Sequence, residues 1–168
     1  METVKQLWGG ELPAFDNIDE VNALLGVLVN GLWNRLTDHQ NSRNPFMLTR
    51  FDVKPTREGL QHYALVRRQE LDGFVTGLFG VETQIDLPER ANESLSALAD
   101  VRAMVAAAAD LLNDMSKPAE TGSLQALIRN FQKMTLIAEK EMNKINMACK
   151  RARVNYLEQM PTTKPTLH

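Results

Sequence analysis

A single cysteine, Cys149, is all that the 168-residue chain contains, so no internal disulfide can form and no cysteine-based zinc site is available. The three histidines, His39, His62 and His168, fall in separate segments with no second histidine at helical spacing. Glu58 precedes His62 by four residues, whereas a di-iron carboxylate bundle needs Glu-x-x-His from each of two helices. The sequence therefore predicts no metal and no cofactor. It also lacks a P-loop, a G-x-G-x-x-G fingerprint and a G-x-S-x-G nucleophile elbow, which leaves no named reaction to assign.

No apolar run is long enough to span a bilayer, so no membrane partner is expected. The opening METVKQLWGGELPAF has neither a basic start followed by an apolar core nor a small-residue cleavage site. Together with the lone cysteine this points to a reducing cytoplasm. Nineteen basic against twenty-one acidic side chains give a net charge of -2, without the positive footprint of a dedicated nucleic-acid binder.

What the chain does contain is helical periodicity. Hydrophobic residues make up 43% and charged residues 24%, ordinary values for a soluble globular domain. Gly9-Gly10 and Pro13 between Trp8 and Phe15 predict a turn whose aromatics fold back on a core. Asn17 and Glu20 have capping-box spacing, and Val21, Leu24, Leu25, Leu28, Leu32 and Leu36 follow at threes and fours, predicting a helix over 18–39. Asn-Pro and Lys-Pro breakers make 41–56 an irregular surface loop pinned by Phe46, Met47, Leu48 and Phe51. A second helix is predicted from Arg57 to Phe79 with Gly80 as its stop. A third is predicted over 88–113, capped by Asp86 with Glu89.

The last segment has the most regular pattern. Leu124, Ile128, Phe131, Thr135, Ala138, Met142, Ile145, Cys149, Ala152 and Tyr156 alternate four and three, which predicts one long helix over 122–158 with a single seam. The fold class is all-α: a compact helical body over 1–115, followed by a long C-terminal helix over 122–160 that packs on the body or pairs between subunits. Ten seam positions exceed what the shorter helices are expected to cover, so Phe131, Met142, Ile145, Cys149 and Tyr156 are candidates for a homodimer seam.

Three further features need weighing. Gly73 and Gly77, four apart around Phe74, each cost roughly 1 kcal/mol relative to alanine in a helix, and close packing against another helix is the simplest compensation. Arg67, Arg68, Glu70 and Asp72 form a charged group, but residues 70 and 72 point in different directions on a helix; a solvated face is expected rather than a catalytic carboxylate pair. Between Arg129 and Arg153 there are seven basic and two acidic residues, a local balance of +5, while residues 1–40 carry -4. Lys140, Lys144, Lys150, Arg151 and Arg153 are therefore a candidate basic face for an anion or nucleic acid. Without flanking aromatics on one stripe, attraction between the two ends of the chain, within one molecule or across a dimer, is the favoured reading.

LWGGELPAF at 7–15, LWNRL at 32–36 and LDGFVTGLFG at 71–80 together resemble the YecA/YgfB-like family of small bacterial all-helical proteins. The matching positions are Trp8, Gly9, Gly10, Pro13, Phe15, Asn34, Gly73, Phe74 and Gly77, within roughly the first 80 residues. The resemblance implies a helical fold and no substrate. The Cys-rich zinc module that ends some members does not carry over, since a basic helix stands in its place. The expected function is a non-enzymatic protein-interaction or regulatory role with an unknown protein partner. The alternatives are a nucleic-acid-associated protein and an enzyme whose site has no readable signature.

Overall fold

The computed structural model describes residues 9–11, 14–28, 30, 34–50, 52–80, 85–116 and 120–159, without the side chains of 35, 36 and 121. Among these residues the chain is helical and has no strand. The helices are α1 (Ile18–Gly26), α2 (Asn34–Asp38), α3 (Arg57–Phe79), α4 (Glu89–Asn113) and α5 (Thr121–Gln159). Expectations for Trp8, Pro13, Leu32, Phe51, His168 and the side chain of Leu36 lie outside the described residues.

Helices α3, α4 and α5 run up, down and up as a three-helix bundle. The α4–α5 interface is the most extensive and α3–α5 the smallest. Each helix contributes one stripe to a common core: Leu60, Ala64 and Leu71 from α3, Ala91, Leu98 and Val105 from α4, and Phe131, Ala138, Met142 and Ile145 from α5, all fully buried. Burial of a side chain the size of Phe131 or Met142 contributes roughly 1.5–3 kcal/mol each. The α3 register is fixed at its start by Thr56, whose side chain accepts a hydrogen bond from the Gly59 N–H at 3.1 Å. At its end Gly80 has φ +59 and donates its N–H to the Thr76 carbonyl at 2.8 Å. Arg57 turns back to donate to the Leu112 and Asp114 carbonyls at 2.8 and 3.0 Å, satisfying acceptors that the end of α4 leaves open.

The loop over 45–50 is the expected irregular surface segment pinned by an apolar side chain, and it also serves as a strap. Leu48 is 2% exposed and sits in the core. The Phe46 N–H donates to Asn143 Oδ1 at 2.9 Å, and Asn143 Nδ2 donates back to the Phe46 carbonyl at 2.9 Å. The Leu48 N–H donates to Glu139 Oε1 at 2.8 Å, and Arg50 donates to Glu139 Oε2 at 2.7 Å. On the other side the Thr49 N–H reaches Glu70 at 2.8 Å, and Arg67 donates to the Thr49 carbonyl at 3.0 Å. The strap thus joins α3 to α5, the pair that touches least directly.

Three expectations need correction. The helix predicted over 18–39 is not α-helical throughout: among the described residues α1 covers Ile18–Gly26, wider π-type turns lie at 27, 28 and 30, and α2 covers Asn34–Asp38. The Asn17–Glu20 capping box does form, with the Glu20 N–H donating to Asn17 Oδ1 at 3.0 Å. Asp86 does not cap α4; Pro88 takes the cap position without a side-chain bond, and its carbonyl accepts from the Ala91 N–H at 2.7 Å. Gly73 and Gly77 are not a packing stripe. Both are exposed, and a Cβ at either would meet nothing within 4 Å, because the buried face of α3 carries Leu71, with Phe74, Val75 and Leu78 half-buried beside it. The close approach in this helix is at Gly59, where a Cβ would lie 2.6 Å from the Lys54 carbonyl oxygen.

Candidate functional site

The charged group on α3 is structural. Arg67 is 1% exposed, pairs with Glu70 and stacks its guanidinium 5.0 Å over the Tyr63 ring, a cation–π contact strengthened by desolvation. Its Nε is a buried side-chain donor without a partner. The expectation of a solvated face fails for Arg67 and Glu70, because the strap lies over them. Asp72 points elsewhere, to Arg102 of α4, whose Nε donates at 3.0 Å. The two carboxylates therefore face different neighbours and share no site.

The seam of α5 also divides. Phe131, Met142 and Ile145 are fully buried within a single copy, which corrects their candidacy as an oligomer seam. Helices α3 and α4, with 23 and 25 residues, are long enough to cover the seam as far as Ile145. Cys149 is half-buried, and Tyr156 is 62% exposed. Every residue from Arg151 to Gln159 is exposed, so the helix projects past the bundle with Val154, Tyr156 and Leu157 bare. Burial raises the Cys149 thiol above its ordinary pKa, which lowers its thiolate fraction and its reactivity.

The candidate basic residues Lys140, Lys144, Lys150, Arg151 and Arg153 are all exposed but do not form one face. Lys140, Lys144 and Arg151 share a stripe, whereas Lys150 donates to the Gln40 carbonyl at 2.9 Å and Arg153 lies on the seam side of the projection. The stripe forms one wall of a groove of about 1050 Å³ between α4, α5 and the turn at 39–45. Ala97 of α4, with Met147, Ala148 and Ala152 of α5, gives it an apolar lining, while Arg90, Glu89 and Glu93 stand on the α4 side.

Within the groove Lys144 donates to both oxygens of Glu141 at 2.8 and 3.0 Å. Burial would raise the Glu141 carboxyl, but Lys144, the Ser94 hydroxyl and Lys140 together outweigh it and hold the carboxyl below its ordinary value. Glu141 is thus a neutralised anion, and Lys140 and Arg151 hold no ion pair with a described residue. The Met147 stripe was missed in the sequence although Lys140, Lys144, Met147 and Arg151 carry a four-three-four spacing of their own. Ala97 and Arg90 had no such signal, because their neighbourhood depends on the α4–α5 register.

His39 sits at the groove rim, edge-on to Phe46 with ring centroids 5.5 Å apart, and its Nδ1 lies 3.2 Å from the Asn44 carbonyl. His62 is on α3. Among the described residues no three His, Cys, Asp or Glu side chains come together to hold a metal ion, and no helix is long and apolar enough to cross a membrane. No protein-family model, no curated protein and no solved structure matches the chain.

Proposed function

We propose that this chain is a non-enzymatic interaction protein of the reducing cytoplasm, and that its α4–α5 groove receives a helical segment of a protein partner. The observation that carries the reading is the groove's make-up: an apolar lining of Ala97, Met147, Ala148 and Ala152 beside Lys140 and Arg151, which hold no ion pair with a described residue. An amphipathic helix with acidic flanks fits such a surface, since apolar residues supply contact area and charge supplies orientation. The groove's carboxylate Glu141 is committed to Lys144 and Ser94.

We assign the expected homodimer to this exposed surface, since Phe131, Met142 and Ile145 are buried within one copy. The YecA/YgfB-like resemblance is supported by the residues of the Trp-Gly-Gly and Gly-Phe segments, while the open surroundings of Gly73 and Gly77 remove packing as the reason for those glycines.

A photo-crosslinking residue placed at Met147 tests the groove in cells producing the chain, with the same residue at Gln132, exposed on α5 away from the groove, as control. A covalent protein adduct at 147 and none at 132 is the expected result. Adducts to nucleic acid alone, or no adduct, would overturn the proposed role.

A further inference from the structure

Two surfaces in this chain are incomplete in complementary ways. Helix α1 has the regular apolar spacing of a packed helix, yet among the described residues it buries no side chain and makes no contact with α3, α4 or α5. Leu25 is 51% exposed and Ile18 69%, while Val21, Leu24 and Leu28 are half-buried. Its start carries Asp16, Asp19 and Glu20, and no lysine or arginine occurs anywhere from 14 to 30. The groove offers the reverse pattern: an apolar lining beside Lys140 and Arg151, with Lys144 held by Glu141.

We propose that the groove's occupant is helix α1 of a second copy of this chain, and that two copies exchange these helices reciprocally to form a two-fold dimer. The proposal rests on the groove being a seat for a helix and names what sits in it. At 1.5 Å per residue, 18–28 and the wall from Lys140 to Arg151 both extend about 16 Å, so the two lengths match. On the opposite wall the carboxylates of Glu89 and Glu93 outnumber the single cation Arg90, which favours the acidic turn lying toward α5. The attraction between such exposed charges is weakened by salt.

A second copy fits better than the chain's own α1 because of the projection beyond the bundle. A helix folded back within one copy would occupy the groove but leave Val154, Tyr156 and Leu157 bare. Two copies set groove to groove bring a second body alongside those residues. Each copy has one acidic helix and one basic groove, so the exchange is self-complementary and closes after two subunits.

The test is a charge exchange on the full chain, read by light scattering at high micromolar concentration. The unmodified protein is expected at twice its 18.9 kDa chain mass, shifting toward the single-chain mass as salt rises. K140E/R151E reverses the groove and D16K/D19K reverses the helix, the latter leaving the Asn17–Glu20 cap in place. Each variant alone should be monomeric with unchanged helical circular dichroism. An equimolar mixture should regain the dimer mass, because each helix then meets a groove of opposite charge, and the chain carrying all four substitutions should dimerise by itself.

A monomeric unmodified protein, a dimer indifferent to either reversal, or a mixture that stays monomeric would each overturn the exchange. If any of these occurs while Met147 crosslinks to a different protein, the groove's role in binding stands and only this occupant is wrong. Absence of both dimer and crosslink removes the two together.

Discussion

Helices α1 and α5 carry the same three-and-four apolar spacing, yet α5 from Leu124 to Ile145 closes the core while α1 covers nothing among the described residues. Periodicity specifies which face of a helix is apolar; it does not specify what lies against that face. For α5 the cover comes from α3 and α4, which are of sufficient length and connected by short loops. The same helix repeats the contrast within itself, since its last turns keep the spacing but have outrun the bundle.

The largest effect should come from setting the buried part of α5 against its projection. Met142→Lys places a charge at a fully buried site and should cost about 3–5 kcal/mol or abolish folding, as an uncompensated buried charge does. Leu157→Lys, on the exposed projection, should leave the urea midpoint of the monomer within about 0.5 kcal/mol. Equal effects at the two positions would mean that the division of the helix is wrong.

Next in size is the strap. Glu139→Ala deprives the buried Leu48 N–H and the Arg50 guanidinium of their acceptor, and should destabilise by about 1–3 kcal/mol in chemical denaturation. On α3, Gly59→Ala should lower stability by a similar amount, about 1–3 kcal/mol, because its Cβ meets backbone. Gly73→Ala and Gly77→Ala should each raise it by about 0.5–1 kcal/mol, since both sites are open and helical. A loss of stability at 73 or 77 would restore the packing role that the exposed positions argue against.

The smallest effect concerns pH. A Glu141 carboxyl held below its ordinary 4.5 contributes stability that is complete above the unfolded-state value and is lost as pH falls below it through the folded value. Glu141→Gln should therefore flatten the acid limb of the stability–pH curve and leave its alkaline limb unchanged. A steeper acid limb in the variant would reverse the sign assigned to Lys144 and Ser94.

Helices α3, α4 and α5 were legible in the sequence because their apolar spacing is bounded by Gly80, Pro88 and the polar break near Asn113. The strap was legible only as a loop with apolar anchors. Its polar bonds join Phe46 to Asn143 and Leu48 to Glu139, and spacing along the chain says nothing of side chains roughly ninety residues apart. The groove was half legible: helical arithmetic alone places Lys140, Lys144 and Arg151 together and Lys150 and Arg153 elsewhere, but the α4 wall required the three-dimensional register. Arg67 was misread for the same reason, since what buries it is the strap and not its own helix.

The strap also orders events during synthesis. Chains emerge from the ribosome N-terminus first, and residues 45–50 are made well before Glu139 and Asn143, the groups that hold them on α5. Through most of translation Leu48 has no α5 to lie against, and α3 and α4 can form their mutual interface without the strap being fastened on that side. The middle third of α5 completes the fold of a segment made almost a hundred residues earlier, so a chain truncated before residue 139 would keep Leu124 and Phe131 for the core and lose both groups that fasten the strap to α5.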